Sequence, residues 1–196
     1  MNENQQSIIV LPDTSLILLQ VDKQLSVVKS ILENERRLYW KNHLDTLKNQ
    51  KKYEELLTQS EKCILEFPCW FYGYFRRGTA KNNLKNHVGA IEDYNKCIEF
   101  NANHVFAYGN RGIAKADLGD YQSAIEDYDK VIELDNNSEY AYEFRGDLKY
   151  ELKDYLGAIE DYDKVIELDI NYVYAYSSRG FFKHNMGANQ NFAQNM

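Results

Sequence analysis

A twelve-residue segment occurs twice in this chain, 34 residues apart, and this repetition constrains the fold more than any other feature. Residues 124–135 return unchanged as residues 158–169. A third copy, residues 90–99, differs only at Asn95 and Cys97. Repetition at a fixed period of this length is typical of proteins built from stacked structural units. The sequence therefore predicts a repeat protein, in which each unit packs mainly on its neighbours.

Three successive units of 34 residues share a pattern when the positions of each are numbered from its first residue. Tyrosine occupies position 4, Arg-Gly positions 7 and 8, and alanine position 20. These residues are Tyr74, Arg77, Gly78 and Ala90 in unit 71–104; Tyr108, Arg111, Gly112 and Ala124 in unit 105–138; and Tyr142, Arg145, Gly146 and Ala158 in unit 139–172. The pattern resembles the tetratricopeptide repeat, a pair of antiparallel helices. The resemblance implies an all-α fold, an α-α right-handed superhelix.

The rest of the chain is assigned around these three units. Two departures mark unit 37–70, in which Leu44 and Leu56 replace the small residues at positions 8 and 20. The predicted organisation is a loose N-terminal arm over 1–13, a capping helix over 14–36, four repeats over 37–172 (37–70 degenerate, then 71–104, 105–138 and 139–172), and a partial fifth repeat or C-terminal capping helix with its tail over 173–196.

The predicted helix over residues 14–36 carries an apolar stripe at helical spacing and does not fit the repeat pattern. The stripe consists of Leu18, Val21, Leu25, Val28 and Leu32. Two interpretations remain open. The helix covers the exposed face of the first repeat, as terminal units of such arrays require, or it is an arm that docks on another molecule.

The last unit starts as a regular repeat, with Tyr176, Arg179 and Gly180 in place. Residues 186–193 then align with the turn and second helix at 118–125, so the second helix is predicted to be cut off halfway. Either the first helix of this unit ends the array against solvent, or the segment 173–196 pairs with a second copy in a homodimer.

Composition excludes several classes of protein. The net charge of −7 disfavours binding of nucleic acid through its phosphates, and no stretch is apolar and long enough to predict a membrane span. The three cysteines have no disulfide-like spacing, which predicts a soluble, cytoplasmic protein. The acidic charge lies in the second half of the array: residues 37–104 are net +3, whereas residues 105–172 are net −10.

No arrangement of residues predicts catalysis. The sequence contains no glycine-rich phosphate loop, no paired Cys or His at zinc spacing and no serine nucleophile elbow. We therefore expect no catalytic residues, no metal site and no cofactor. Cys63 and Cys97 share position 27, where the later units carry valine, and they are predicted to be buried core residues.

The remaining class is protein recognition. In the family that the sequence resembles, the first helices line a concave groove with positions 2, 5, 9, 12 and 13. Carried over, this predicts a non-catalytic adaptor that binds a peptide or helix of a partner protein. The predicted groove residues are Tyr72, Phe75, Phe106, Ile113, Asp117, Tyr140, Glu143, Asp147, Tyr150, Glu151, Tyr174 and Phe181.

Position 2 is aromatic in every unit, as Tyr72, Phe106, Tyr140 and Tyr174. These rings form a ladder for an extended peptide, or they pack against the preceding repeat, and the sequence favours neither. Glu143, Asp147 and Glu151 lie four residues apart and are predicted to share one helical face. Either this acidic patch receives a Lys- or Arg-containing segment of a partner, or it is a solvated face whose repulsion Lys149 and Lys153 relieve.

A subgroup of the family binds the C-terminal carboxylates of heat-shock chaperones through a basic clamp, and this sequence departs from it. Lys41 fits the first basic position, but Asp45 stands where Asn is wanted and Phe106 where a second Lys is wanted. Chaperone-tail binding is therefore not expected.

The repeated arginine at position 7 is predicted to pair with the repeated aspartate at position 23. Pairing within a repeat gives Arg111–Asp127, whereas pairing between repeats gives Asp127–Arg145. Position 7 points about 100° away from position 8 on a helix, so we expect the between-repeat pairing.

Overall fold

A computed structural model describes residues 14–194, and every regular element in this part of the chain is an α-helix. The helices are α1 (Thr14–Asn49), α2 (Tyr53–Glu66), α3 (Phe71–Asn83), α4 (His87–Phe100), α5 (Val105–Asp117), α6 (Tyr121–Leu134), α7 (Glu139–Glu151), α8 (Tyr155–Leu168) and α9 (Val173–Gln194). The chain divides into two compact units, Met1–His43 and Leu44–Met196. The arm predicted over 1–13 lies outside the described residues.

In the unit Leu44–Met196, consecutive helices from α2 to α9 pack on one another. Three helix pairs, α3–α4, α5–α6 and α7–α8, correspond to the three regular repeats. The fold is thus the predicted all-α solenoid. Its core runs along the array as successive clusters of small apolar and aromatic side chains, with Ala124, Tyr128 and Val131 at the centre of one of them.

The turn inside each repeat follows from local chemistry. Gly119 adopts a φ of +82°, the left-handed region that glycine enters at least cost. The Asp120 side chain then accepts the Ser123 N–H at 3.2 Å and caps α6. Lys153 takes the same left-handed conformation in the next repeat, with a φ of +66°, ahead of the cap at Asp154.

At the turn between repeats, the position-4 tyrosine binds the backbone carbonyl of position 32. The proline that the family often has at this position is present as Pro68 and is replaced by Ala102 and Asn136 in the next two units. Tyr74 Oη donates to the Pro68 carbonyl at 2.9 Å. Tyr108 Oη donates to the Ala102 carbonyl at 3.2 Å, and an equivalent bond joins Tyr142 to Asn136. The repeated tyrosine therefore ties each first helix to the turn that precedes it.

The unit Met1–His43 contains most of α1, which runs past residue 36, the predicted end of this helix. It continues to Asn49, because no glycine or proline interrupts it. The apolar stripe of Leu18, Val21, Leu25, Val28 and Leu32 is exposed. The choice between a capping helix and a docking arm remains a prediction.

The last helix also differs from expectation. No turn forms at Gly187, and α9 runs unbroken from Val173 to Gln194. In the regular repeats an aspartate or asparagine caps the second helix, whereas Ala188 stands at that place in the last unit. Without a capping side chain the chain has no local signal to end one helix and begin another.

The predicted between-repeat pairing of Arg and Asp is wrong, because each arginine binds the aspartate of its own repeat. Their closest N–O distances are 2.6 Å for Arg77–Asp93, 2.5 Å for Arg111–Asp127 and 2.5 Å for Arg145–Asp161. The two helices of a repeat approach closely at the neighbouring glycine, so the long arginine side chain reaches the second helix despite its angular offset.

A between-repeat contact of the same arginine does exist, but with position 25. Arg145 Nη1 lies 2.5 Å from Asp129 Oδ1 of the preceding repeat, and Arg179 Nη1 lies 2.6 Å from Asp163 Oδ1. Arg111 makes the equivalent bond to the Asn95 side chain at 2.6 Å. Arg111 and Arg145 thus each connect their own second helix with that of the repeat before it.

Close packing at position 8 is confirmed, with an aromatic ring as the nearest neighbour. A Cβ added at Gly112 would lie 3.0 Å from Cε2 of Tyr128, and one at Gly146 would lie 3.0 Å from the Tyr162 ring. Ala124 is fully buried beside this contact. Cys63 and Cys97 are also fully buried, as predicted, and burial raises the pKa of both thiols to about 12.

The glycine contact predicts the effect of Gly112→Leu on stability. The leucine side chain would displace the Tyr128 ring, and overpacking of this kind costs about 1–3 kcal/mol. Urea unfolding monitored by circular dichroism measures the change. Gly180→Leu is the matched control, since no other described atom lies within 4 Å of the position of its added Cβ. Equal stabilities of the two variants would contradict the packing argument.

Candidate functional site

Two of the predicted groove residues, Phe75 and Phe106, lie in one surface depression with a volume of about 320 Å³. The depression is formed by the C-terminal turns of α1 and by the first helices α3 and α5. Its lining side chains are Lys48, Phe75, Arg76, Thr79, Phe106 and Asn110. It therefore combines two cations, two aromatic rings and two neutral polar groups.

The aromatic part of this depression is built around His104, which precedes α5. The His104 ring centroid lies 4.5 Å from that of Phe75 and 6.3 Å from that of Phe106. His104 Nδ1 accepts the Ala107 N–H at 3.1 Å and so caps α5. Burial, with a smaller effect from the charge of Arg76, lowers the pKa of His104. The imidazole is consequently neutral at pH 7, and the charge of the depression comes from its cations.

The two cations have different surroundings. The Arg76 guanidinium pairs with Asp45, donates to Tyr72 Oη and lies 4.9 Å from the Phe75 ring centroid. Lys48 is exposed, and no described carboxylate lies within 4.0 Å of its Nζ atom. Arg76 is therefore held in place by its neighbours, whereas Lys48 is free to meet an anionic or carbonyl group.

The acidic patch, formed by Glu143, Asp147 and Glu151, lies on α7. Glu143 accepts a hydrogen bond from Tyr172 Oη at 3.0 Å, and Asp147 accepts one from Tyr162 Oη at 2.8 Å. Burial raises the pKa of both carboxyl groups, and a second contribution comes from the next acid along the helix. The negative charges of the patch are thus partly desolvated and repel one another.

Aromatic side chains lie beside the acidic patch. Tyr150 stacks on Phe182 with ring centroids 4.5 Å apart and lies 5.5 Å from Phe181. The Asn185 amide donates to Tyr150 Oη at 3.0 Å. Tyr150 of α7 is thereby held against α9, while the Phe181 ring remains exposed. Acids and aromatic rings meet at the C-terminal end of the array.

The four aromatic residues at position 2 divide between the two interpretations given above. Tyr72 is buried and donates to Asp45, and Tyr140 packs where a Cβ on Gly109 would meet its hydroxyl at 3.1 Å. Phe106 and Tyr174 are 65% and 50% exposed. Only these two rings are available to a ligand without rearrangement.

The other predicted groove residues have partners within the protein. Ile113 packs against the core cluster around Tyr128, so much of its surface is already covered. The Asp117 carboxylate lies 3.4 Å from His87 Nδ1 in the preceding repeat. No described contact joins Ile113 or Asp117 to the acidic patch.

Sequence reasoning missed Lys48, Arg76 and Asn110. Arg76 and Asn110 occupy position 6, which is not among the groove positions that the resemblance implied. Lys48 is at position 12 of the degenerate unit, and it received no weight there. A signal was present, because residues 71–104 are net positive within an acidic chain. Arg76 contributes to that positive charge, and in the structure its side chain lines the depression.

Over residues 14–194, no three His, Cys, Asp or Glu side chains come together in a way that could hold a metal ion. None of the helices in this range is both long and apolar enough to cross a membrane.

Comparison with solved structures shows the same fold at low sequence identity. MamA is 22% identical, with a TM-score of 0.69 over 74% of this chain and 84% of that one. The first TPR domain of Spaghetti (RPAP3), bound to the HSP90 peptide SRMEEVD, is 21% identical with a TM-score of 0.57, covering 60% and 93%. The OM64 TPR domain of Arabidopsis is 24% identical with a TM-score of 0.55, covering 58% and 94%.

Comparison with curated proteins found no match. Family models do match, and they follow one another along the array. The tetratricopeptide repeat is matched at residues 72–104 and again at residues 105–138, and a TPR repeat model is matched at residues 146–187. Together with the 34-residue period and the helix pairs, these matches show that the chain belongs to the tetratricopeptide repeat family.

Proposed function

We propose that this protein is a non-catalytic adaptor that holds an extended peptide or a helix of a partner protein along the first helices of the array. The proposal rests on two places where exposed aromatic rings lie near charged side chains. The charged side chains are basic at the depression and acidic at the acidic patch. Phe106 lies beside Lys48 at the depression, and Tyr174 and Phe181 lie on the helix that packs next to the acidic patch. Proteins of this family are in general interaction modules.

At the acidic patch we propose that the partner supplies a lysine or arginine. Burial, followed by the charge of the next acid along the helix, raises the pKa of Glu143 and Asp147 and so disfavours their charged forms. A cation placed between them offsets this repulsion. The adjacent rings add cation–π attraction, which contributes about 0.5–2 kcal/mol.

At the depression we propose that the same segment presents an apolar side chain or a backbone carbonyl group. Phe106 offers an exposed apolar surface, and Lys48 offers a charge without a described carboxylate partner. The two sites together would give the bound segment a direction, since a basic end fits one site and not the other.

Chaperone tails are not proposed as the ligand, although the RPAP3 domain has a bound HSP90 peptide. Asp45 replaces the expected asparagine and already pairs with Arg76, and Phe106 replaces a lysine. A carboxylate terminus placed here would meet the Asp45 carboxylate.

We also propose a location in the cytoplasm. Cys63, Cys69 and Cys97 are free thiols, which agrees with a reducing compartment.

A peptide-display selection tests the proposal. A random library of short displayed peptides is selected on the wild-type chain, and the recovered peptides are measured by fluorescence anisotropy. We expect recovered sequences rich in Lys or Arg, with affinities near the micromolar range, about −8 kcal/mol. Their affinity should fall as salt is added, because the charged contacts are partly exposed.

The variant Glu143→Gln, Asp147→Asn, Glu151→Gln should lose most of this binding. The matched control changes Glu92, Glu126 and Glu160 to Gln, which are exposed acids on the second helices and alter the net charge by the same amount. Equal losses in the two triple variants, or recovered peptides without basic residues, would contradict the proposed site.

The charge repulsion in the acidic patch gives a second prediction, on stability. Asp147→Asn keeps an oxygen that accepts the Tyr162 hydrogen bond and removes the disfavoured charge. At pH 7 we expect the variant to be more stable, by about 0.2–0.5 kcal/mol for each like-charged neighbour. Thermal unfolding at several pH values measures the difference.

The direction of its pH dependence follows from the raised pKa. The folded protein binds a proton at Asp147 more readily than the unfolded chain does, so wild-type stability falls as pH rises through that pKa. The advantage of the variant should therefore disappear at acidic pH. Glu160→Gln, at an exposed position, should show no such trend. A variant that is destabilised at pH 7 would refute the repulsion.

A further inference from the structure

The last helix, α9, exposes a surface that is covered in every regular repeat. A Cβ placed on Gly78, Gly112 or Gly146 would lie 2.8–3.0 Å from the ring of Tyr94, Tyr128 or Tyr162. At Gly180, the equivalent residue of α9, no other described atom lies within 4 Å of that point. The site that a tyrosine ring fills three times along the array is thus not filled at α9 by any residue that the structure describes.

The charged groups around this point show the same difference. Lys81, Lys115 and Lys149 each lie 2.8–2.9 Å from the position-23 aspartate of their own repeat. Lys183 holds the equivalent place on α9, where it is exposed, and over residues 14–194 no carboxylate lies within 4.0 Å of its Nζ. Arg179 keeps its bond to Asp163 of the preceding repeat.

Tyr176, at position 4 of the same face, is 40% exposed, compared with 9% for Tyr108 and Tyr142. We define the α9 socket as the face of α9 that carries Tyr176, Arg179, Gly180 and Lys183. It presents two cations around a surface without a side chain, next to an exposed aromatic ring. The same arrangement in the regular repeats binds one particular kind of helix.

We propose that the α9 socket binds a helix of another protein that carries the pattern Ala-x-x-Asp-Tyr. The three internal examples give the chemistry of each position. The aspartate meets the arginine and the lysine, the tyrosine ring covers the glycine, and the alanine permits close approach, as Asp127, Tyr128 and Ala124 do around Gly112. The complementary charge makes an acidic amphipathic helix the expected partner.

A second copy of this chain is a poor source of that helix. Its own position-23 aspartates are only 2–3% exposed, and Tyr94, Tyr128 and Tyr162 are at most 1% exposed. These pairs are already bound inside their own repeats, so offering one would require a repeat to open. The socket also differs from the proposed groove, because Tyr174 and Phe181 occupy positions 2 and 9 rather than 4, 7, 8 and 11.

The test uses a synthetic peptide with the sequence of residues 120–135, which contains the capping Asp120 and the Ala-x-x-Asp-Tyr pattern. Isolated helices of this length are marginal in water. A lactam bridge between Glu126 and Lys130, one helical turn apart, keeps the peptide helical. Fluorescence anisotropy with the full 196-residue chain should show saturable binding.

Four variants define the site. Asp127→Asn or Tyr128→Ala in the peptide should each weaken binding at least about tenfold. In the chain, Gly180→Leu fills the socket and should weaken binding by a similar factor. Gly187→Leu is the matched control, because it makes the same change in the same helix at a point where no other described side chain lies within 4 Å, and it should leave the affinity within about twofold.

Three results would overturn the proposal. One is the absence of saturable binding by the bridged peptide. Another is binding that Gly180→Leu and the peptide variant Asp127→Asn leave unchanged. The third is a dimer of the chain alone in sedimentation equilibrium that Gly180→Leu dissolves, since this would assign the socket to a second copy.

Discussion

The arginine at position 7 makes the interaction on which the array depends. Arg145 binds Asp161 in its own second helix and Asp129 in the second helix of the repeat before, and its guanidinium lies 5.4 Å from the centre of the Tyr142 ring. One side chain therefore connects three helices. Because this occurs in successive repeats, the relative placement of neighbours is set the same way along the array.

The energetic meaning of this contact lies in specificity as well as stability. Asp161 is almost fully buried, and Arg145 and Lys149 both bind it. Desolvation of such groups offsets much of their attraction, so a buried ion pair is weak evidence of net stability. Loss of one partner, however, leaves a buried charge uncompensated. Arrangements that break the contact are therefore disfavoured, and the register of each helix pair is fixed.

Positions that are the same in every regular repeat maintain the fold, and other positions differ between repeats and change the surface. The tyrosine, arginine, glycine and lysine at positions 4, 7, 8 and 11 hold the helices together. Position 9 changes from Thr79 to Ile113, Asp147 and Phe181 along the chain, although Ile113 and Asp147 also contact their own repeat. Charge and aromatic character can thus differ from one repeat to the next without altering the fold.

The sequence predicted the helix pairs, the turn at Gly119 and the buried Cys63 and Cys97, because each depends on local chemistry repeated at a fixed period. It failed where tertiary contacts decide. An angular argument placed Arg111 on the wrong neighbour, since it ignored the reach of the side chain. The lining role of Arg76 and Asn110 depends on how α3 and α5 meet at the depression, which no single-helix pattern contains.

A double-mutant cycle on Arg145 and Asp161 tests the central claim most directly. The free energies of unfolding are measured for Arg145→Ala, Asp161→Ala and the double variant, with the same cycle on Lys164 and Glu167 as a surface reference. The account predicts a coupling energy above about 1 kcal/mol for Arg145 and Asp161, against about 0.5 kcal/mol or less for the surface pair. Equal and small couplings in both cycles would contradict it.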